Sequence, residues 1–162
     1  MNQAKKDHFL FLGPDSPETV AWAVRTAAGE IVIGQGPLGE ARHFQGEKVV
    51  VLVPGAEVLL TEASIPGSRG RIIKKSIPFA LEENLADDIE NLHFAHGPLS
   101  KTGTIAVAVV AKAQMESWLA ILLEYGVEVK ALVPATMAIP LTPEQWSVVL
   151  TDSQFMLRKD SW

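Results

Sequence analysis

Apolar positions in the first third of this chain come in short bursts. His8 to Leu12, Thr19 to Arg25 and Glu30 to Gly34 are brief apolar-rich runs joined by polar links that carry Gly or Pro. Short polar connections between such runs predict an antiparallel meander. Lys48 to Val53 (KVVVLV) differs, because its β-branched residues do not alternate with polar ones. A continuous run of that kind, stopped by Pro54-Gly55, predicts a strand buried on both faces of a sheet. Glu57 to Ile65 reads as a further strand, ended by Pro66-Gly67.

The period then changes. Ile73, Ile77, Leu81 and Leu85 recur every four residues, which lays one apolar stripe along a helix with Ser68 as its N-cap. Pro78 falls inside it and predicts a kink or a restart. Glu90 to Ala95 and Thr104 to Lys112 read as strands around the turn HGPLSKTG. Ala113 to Tyr125 is a second helix, with Met115, Trp118, Leu119, Leu122 and Leu123 on its apolar side and Gly126 as its C′ residue. Glu128 to Val133 is a strand, followed by a turn of helix near Ala135 to Ala138. Ser147 to Leu150 and Phe155 to Arg158 form a hairpin across Thr151 to Gln154.

A meander, further strands and interleaved helices define an α/β fold with a mixed sheet. A meander that opens such a lobe suggests the ribonuclease-H-like architecture of actin-like ATPases. Residues 1–140 are read as that lobe, in one or two subdomains, and residues 141–162 as the start of a second. The closing hairpin opens a sheet that nothing after it covers, so the chain is read as a truncated fragment of a longer protein.

Composition narrows the function. At 162 residues and 48% hydrophobic, the chain can bury a sizeable core. Its formal net charge of -5 argues against a nucleic-acid partner. The absence of Cys excludes disulfide and thiolate chemistry. The longest purely apolar run, Ile105 to Ala111, is far short of the roughly 20 residues that cross a bilayer.

No catalytic residue, cofactor site or metal site is expected. Actin-like enzymes hold phosphates on backbone N–H groups of Gly-rich turns. The equivalent turn here is Gly13-Pro14-Asp15-Ser16-Pro17-Glu18. Its two prolines have no N–H, and Glu18 would repel the phosphates. The later turn, Thr151 to Gln154, contains Asp152 but no Gly. His93 and His96 stand three apart on a strand, so they point to opposite faces and do not share a metal easily.

The unusual signal is charge order on the first helix. Arg69, Arg71, Lys74 and Lys75 open it, while Glu82, Glu83, Asp87, Asp88 and Glu90 close or follow it. The helix dipole favours the reverse order by about 0.3–1 kcal/mol per charge. A solvated face is one reading. The sharper one is that Glu82, Glu83, Asp87, Asp88 and Glu90 dock a basic partner surface.

The residues Val53-Pro54-Gly55, Ile65-Pro66, Ile77-Pro78-Phe79-Ala80-Leu81-Glu82-Glu83 and Leu92-His93-Phe94-Ala95 carry a family resemblance. The Trp118 helix and Gly126-Val127 extend it. The chain resembles the cytoplasmic domain of the type II secretion system protein L. That resemblance implies an actin-like fold without ATPase activity and without a cofactor. It implies a scaffold at the cytoplasmic face of the bacterial inner membrane that recruits the secretion ATPase, the E protein. In the full-length protein it implies a downstream membrane helix and contact with the M protein and other platform components. A homodimer is left open. The alternative is an actin-like nucleotide-binding protein of the pilus-assembly type.

Overall fold

A computed structural model describes residues 6–13, 16–40, 44, 46–65, 71–150 and 155–159. In chain order the strands and helices are β1 (Asp7–Phe11), β2 (Val20–Arg25), β3 (Ile31–Gly36), β4 (Lys48–Val53), β5 (Leu59–Ser64), α1 (Arg71–Leu81), β6 (Leu92–Leu99), β7 (Thr104–Ala111), α2 (Lys112–Glu124), β8 (Glu128–Pro134), β9 (Ser147–Leu150) and β10 (Phe155–Arg158). The chain divides into two compact units, Met1–Gly55 with Trp118–Trp162, and Ala56–Ser117.

The first unit is built on a five-stranded sheet of order β3-β2-β1-β4-β8. β1, β2 and β3 form the expected antiparallel meander. β4 runs parallel to both β1 and β8, so the sheet is mixed. Alternation sorts each strand: Leu10, Leu12, Val49, Val51 and Val53 are buried, while Phe9, Phe11, Val50 and Leu52 on the other face are half-buried. The KVVVLV run therefore fills one face completely and the other only in part. β9 and β10 make the predicted hairpin, with Phe155 opposite Leu150 and Arg158 opposite Ser147. The Arg158 guanidinium fixes β10 by donating to the carbonyls of Met137 and Ile139, both at 2.7 Å. The turn at 151–154 lies outside the described residues.

α2 ends as its sequence predicts. Gly126 takes φ +68° and its N–H donates to the Leu123 carbonyl, while the Val127 N–H donates to the Leu122 carbonyl at 2.8 Å. These are the paired bonds of a left-handed C-cap. A Cβ at Gly126 would meet no atom within 4 Å, so its backbone angle is the only objection to a side chain. Gly126→Ala is expected to cost about 1–2 kcal/mol in urea denaturation. Trp118 and Leu122 are buried, but Leu119 and Leu123 are exposed. The apolar residues of α2 wrap beyond the arc that a single core contact can cover.

The second unit holds a three-stranded antiparallel sheet of order β5-β7-β6. Ile77, Leu81, Leu92, Ile105, Val107 and Val109 form its core with Ala63 and Ile65, and Ile73, Leu85 and Phe94 pack at the margin. The predicted stripe at 73, 77, 81 and 85 thus faces the core. Its boundaries need correction. α1 runs through Pro78 and stops at Leu81. Complete burial of Ile77 and near-complete burial of Leu81 offset the roughly 3 kcal/mol that an interior proline costs. His96-Gly97-Pro98 is not a turn but part of β6, whose pairing slips between His96 and Leu99. β6 is an edge strand, where a proline removes no shared hydrogen bond. Ser68, proposed as the N-cap, lies outside the described residues.

Candidate functional site

The acidic segment begins where α1 ends. Glu82–Asn84 tightens into a 3-10 turn, and the Leu85 N–H closes it on the Glu82 carbonyl. Leu85 is then extended. A second 3-10 turn, Ile89–Asn91, follows Asp88, with the Asn91 N–H on the Asp88 carbonyl at 2.9 Å. Leu81 and Leu92 are buried at the two ends, and Leu85 and Ile89 are half-buried between them. Those four apolar anchors turn the remaining positions outward. Glu82, Glu83, Asp87, Asp88 and Glu90 are all exposed.

The acids therefore do not sit on an α-helix, which corrects the expected charge order. Only Glu82 and Glu83 adjoin the carboxyl end of α1 and meet its dipole, whose effect falls off within the last turn. Asp87, Asp88 and Glu90 are set by the loop alone. The ion pairs among the described residues, Arg25 with Asp7 and Lys48 with Glu128, involve none of the five. The Lys112 ammonium donates to the Glu90 backbone carbonyl at 2.5 Å and ties the segment to the first residue of α2. Among the described residues no three His, Cys, Asp or Glu side chains are placed to hold a metal. The carboxylates fan outward, which suits a cationic surface rather than an ion or a proton transfer. Arg69 lies outside the described residues, as does the segment 66–70.

At the turn that would hold phosphates, Gly13 and Ser16 are bonded to each other. The Gly13 N–H donates to the Ser16 hydroxyl at 3.0 Å, and the Ser16 N–H to the Gly13 carbonyl at 3.3 Å. Pro17 has no N–H to offer. Pro14, Asp15 and Asp152 lie outside the described residues. His93 and His96 are exposed on β6, opposite Val110 and Val107, and the His96 Nδ1 lies 2.9 Å from the Gly97 carbonyl.

Two features of the first unit were not expected from the sequence. A cavity of about 810 Å³ opens at the amino-terminal ends of β1, β4 and β8, where Lys6, Lys48 and Lys130 mix with Asp7, Glu47 and Glu128. A second, of about 510 Å³, is apolar and lies on the half-buried sheet face between Phe9, Phe11, Ala21, Ala23, Ile33 and Leu52. The only available signal for the latter was the unalternated run Ile31-Val32-Ile33 on an outer meander strand.

A mixed sheet opened by a meander, with a smaller α/β unit inserted after β4, is the fold of actin-like proteins. A solved Bacteroides thetaiotaomicron protein with an actin-like ATPase fold matches at TM-score 0.50 and 7% identity, over 97% of this chain and 66% of that one. The cytoplasmic domain of EpsL, an inner membrane component of the Vibrio cholerae type II secretion system, matches at TM-score 0.74 and 24% identity over 96% of this chain and 71% of that one. A PilM-PilN type IV pilus biogenesis complex matches at TM-score 0.58 and 13% identity, over 96% of this chain and 61% of that one.

Residues 9–162 match the family described as type II secretion system (T2SS), protein L. Protein L of Dickeya chrysanthemi is 31% identical over 97% of this chain and 41% of its own length. That of Klebsiella pneumoniae is 37% identical over 69% of this chain and 28% of its own. The chain belongs to the type II secretion system protein L family, and it spans about two fifths of the Dickeya relative it matches.

Proposed function

We propose that this chain is a cytoplasmic scaffold of the type II secretion machine that recruits the secretion ATPase, the E protein, to the inner-membrane platform. The family match over residues 9–162 carries the reading. The Vibrio neighbour, described as the cytoplasmic domain of an inner membrane component, supports the location. No helix among the described residues is long and apolar enough to cross a membrane. In the whole protein the same role joins the ATPase to the M protein. The scaffold works by binding and not by bond chemistry. The bonds between Gly13 and Ser16 support this, because they occupy the N–H groups of both residues that a phosphate would otherwise use. The exposed acids Glu82, Glu83, Asp87, Asp88 and Glu90 are the proposed ATPase-docking face.

The test immobilises the 162-residue chain and passes the E protein of the same organism over it, with phosphate release assayed in parallel. Saturable binding without magnesium-dependent phosphate release from the chain is expected. Absence of binding at 10-fold above a micromolar E concentration would sink the recruitment reading. Phosphate release that Asp15→Ala or Asp152→Ala abolishes would overturn the non-enzymatic one.

A further inference from the structure

We propose that the outer edge of β3, Ile31–Gly36, docks an extended, basic-flanked segment of a partner protein, which adds a sixth strand to the sheet of the first unit. Among the described residues no strand pairs with that edge, since β3 stands at the end of the order β3-β2-β1-β4-β8. The register with β2 gives the direction of its backbone groups. The Thr26 N–H donates to the Glu30 carbonyl at 2.8 Å, and the β2–β3 pairing continues without a slip. In an antiparallel ladder the bonded positions alternate. Glu30, Val32, Gly34 and Gly36 therefore bond inward to β2. Ile31, Ile33 and Gln35 turn their N–H and C=O groups to the free edge.

Edge strands are normally blunted by a lysine, a proline, a bulge or an inward charge. IVIGQG has none of these. Ile31 is 69% exposed and Ile33 76%. Their side chains continue the open apolar face, because Ile33 lies beside Ala23, which lies beside Phe9, while Gln35, Ala21, Phe11 and Leu52 form the next row. An added strand gains main-chain bonds from the edge and places alternate side chains on this same face.

Charge selects the occupant. Glu30 is exposed at one end of the strand. At the other, the Leu38 N–H on the Pro17 carbonyl brings the exposed Glu18 and Glu40 close. Arg25, opposite Ile31, is paired with Asp7. Lys6, Lys48 and Lys130 belong to β1, β4 and β8 or their starts, about 10–19 Å away at the usual strand spacing. Screening at physiological salt leaves about 8 Å of reach. Among the described residues the edge therefore presents an acidic frame around an apolar strip, and a segment with lysine or arginine at both ends and alternating apolar residues between them fits it.

The probe is a fluorescein-labelled decapeptide with three Val-Thr repeats between Lys-Lys pairs, titrated by anisotropy against the whole chain. Micromolar, saturable binding is expected. Ile33→Pro removes an outward N–H and leaves the β2 ladder whole, and it should weaken binding at least ten-fold with an unchanged far-ultraviolet spectrum. If Ile33→Pro does not fold, the pair Ile31→Lys and Ile33→Lys decides the matter, with the same loss expected. A peptide methylated on every backbone nitrogen between the Lys-Lys pairs, which has no edge left that can donate, should not bind. Equal binding to parent and variants, or no saturation at millimolar peptide, would overturn the proposal. So would sedimentation that shows a parent dimer turned monomeric by these variants, because a second copy would then own the edge.

Discussion

Ile77→Ala is expected to destabilise the second unit by about 2–5 kcal/mol. Ile77 is fully buried and lies among Ala63, Ile65, Leu81, Leu92, Ile105, Val107 and Val109. Removing three carbons there loses their transfer energy and leaves a cavity walled by β-strands that cannot close in. The control is two residues along the same helix. Phe79 is 68% exposed, so Phe79→Ala should move the urea midpoint by far less. The comparison also tests the frame of the acidic segment. α1 carries Leu81, the buried anchor from which Glu82 and Glu83 project, so Ile77→Ala should loosen that segment before it touches any carboxylate. Equal shifts from the two substitutions, by fluorescence or circular dichroism, would mean that α1 faces solvent with the other side.

The elements that the sequence disclosed are those with a local cause. The meander, the KVVVLV strand, the β9–β10 hairpin and the Gly126 cap each rest on residues that dictate their own backbone. The end of α1 was misplaced because the 3-10 turn after Leu81 keeps an apolar residue near every fourth position, so Leu85 continues the stripe after the α-helix has stopped. Gly97-Pro98 reads as a turn in any one-dimensional reading. Only the position of β6 at a sheet edge makes it acceptable within a strand. The acidic residues were visible as charge, but their outward fan depends on anchors at 81, 85, 89 and 92 that a helical reading distributes differently. The open edge of β3 was not legible at all. Whether a strand lies at the edge follows from the spatial order of five strands, two of which, β4 and β8, come from either side of the inserted unit.

Neutralising Glu83, Asp87 and Asp88 together, as Glu83→Gln, Asp87→Asn and Asp88→Asn, is expected to slow association with the E protein about ten-fold at low salt. Five carboxylates occur within the nine residues from Glu82 to Glu90, all exposed and none ion-paired among the described residues. Such a cluster repels itself, and a cationic surface on the partner relieves that repulsion on contact. Exposed charges act mainly on the encounter, so the loss should appear in the association rate, with the dissociation rate nearly unchanged. Salt gives an independent check. The Debye length falls from about 30 Å at 0.01 M to about 3 Å at 1 M, so the parent should lose its advantage over the triple variant as salt rises. The fold should survive, because the anchors Leu81, Leu85 and Leu92 are untouched and like-charge repulsion is removed. Surface plasmon resonance across a salt series reads both rates. Identical association rates for parent and triple variant at low salt would make the acidic segment a solvated loop and move the docking face elsewhere on the chain.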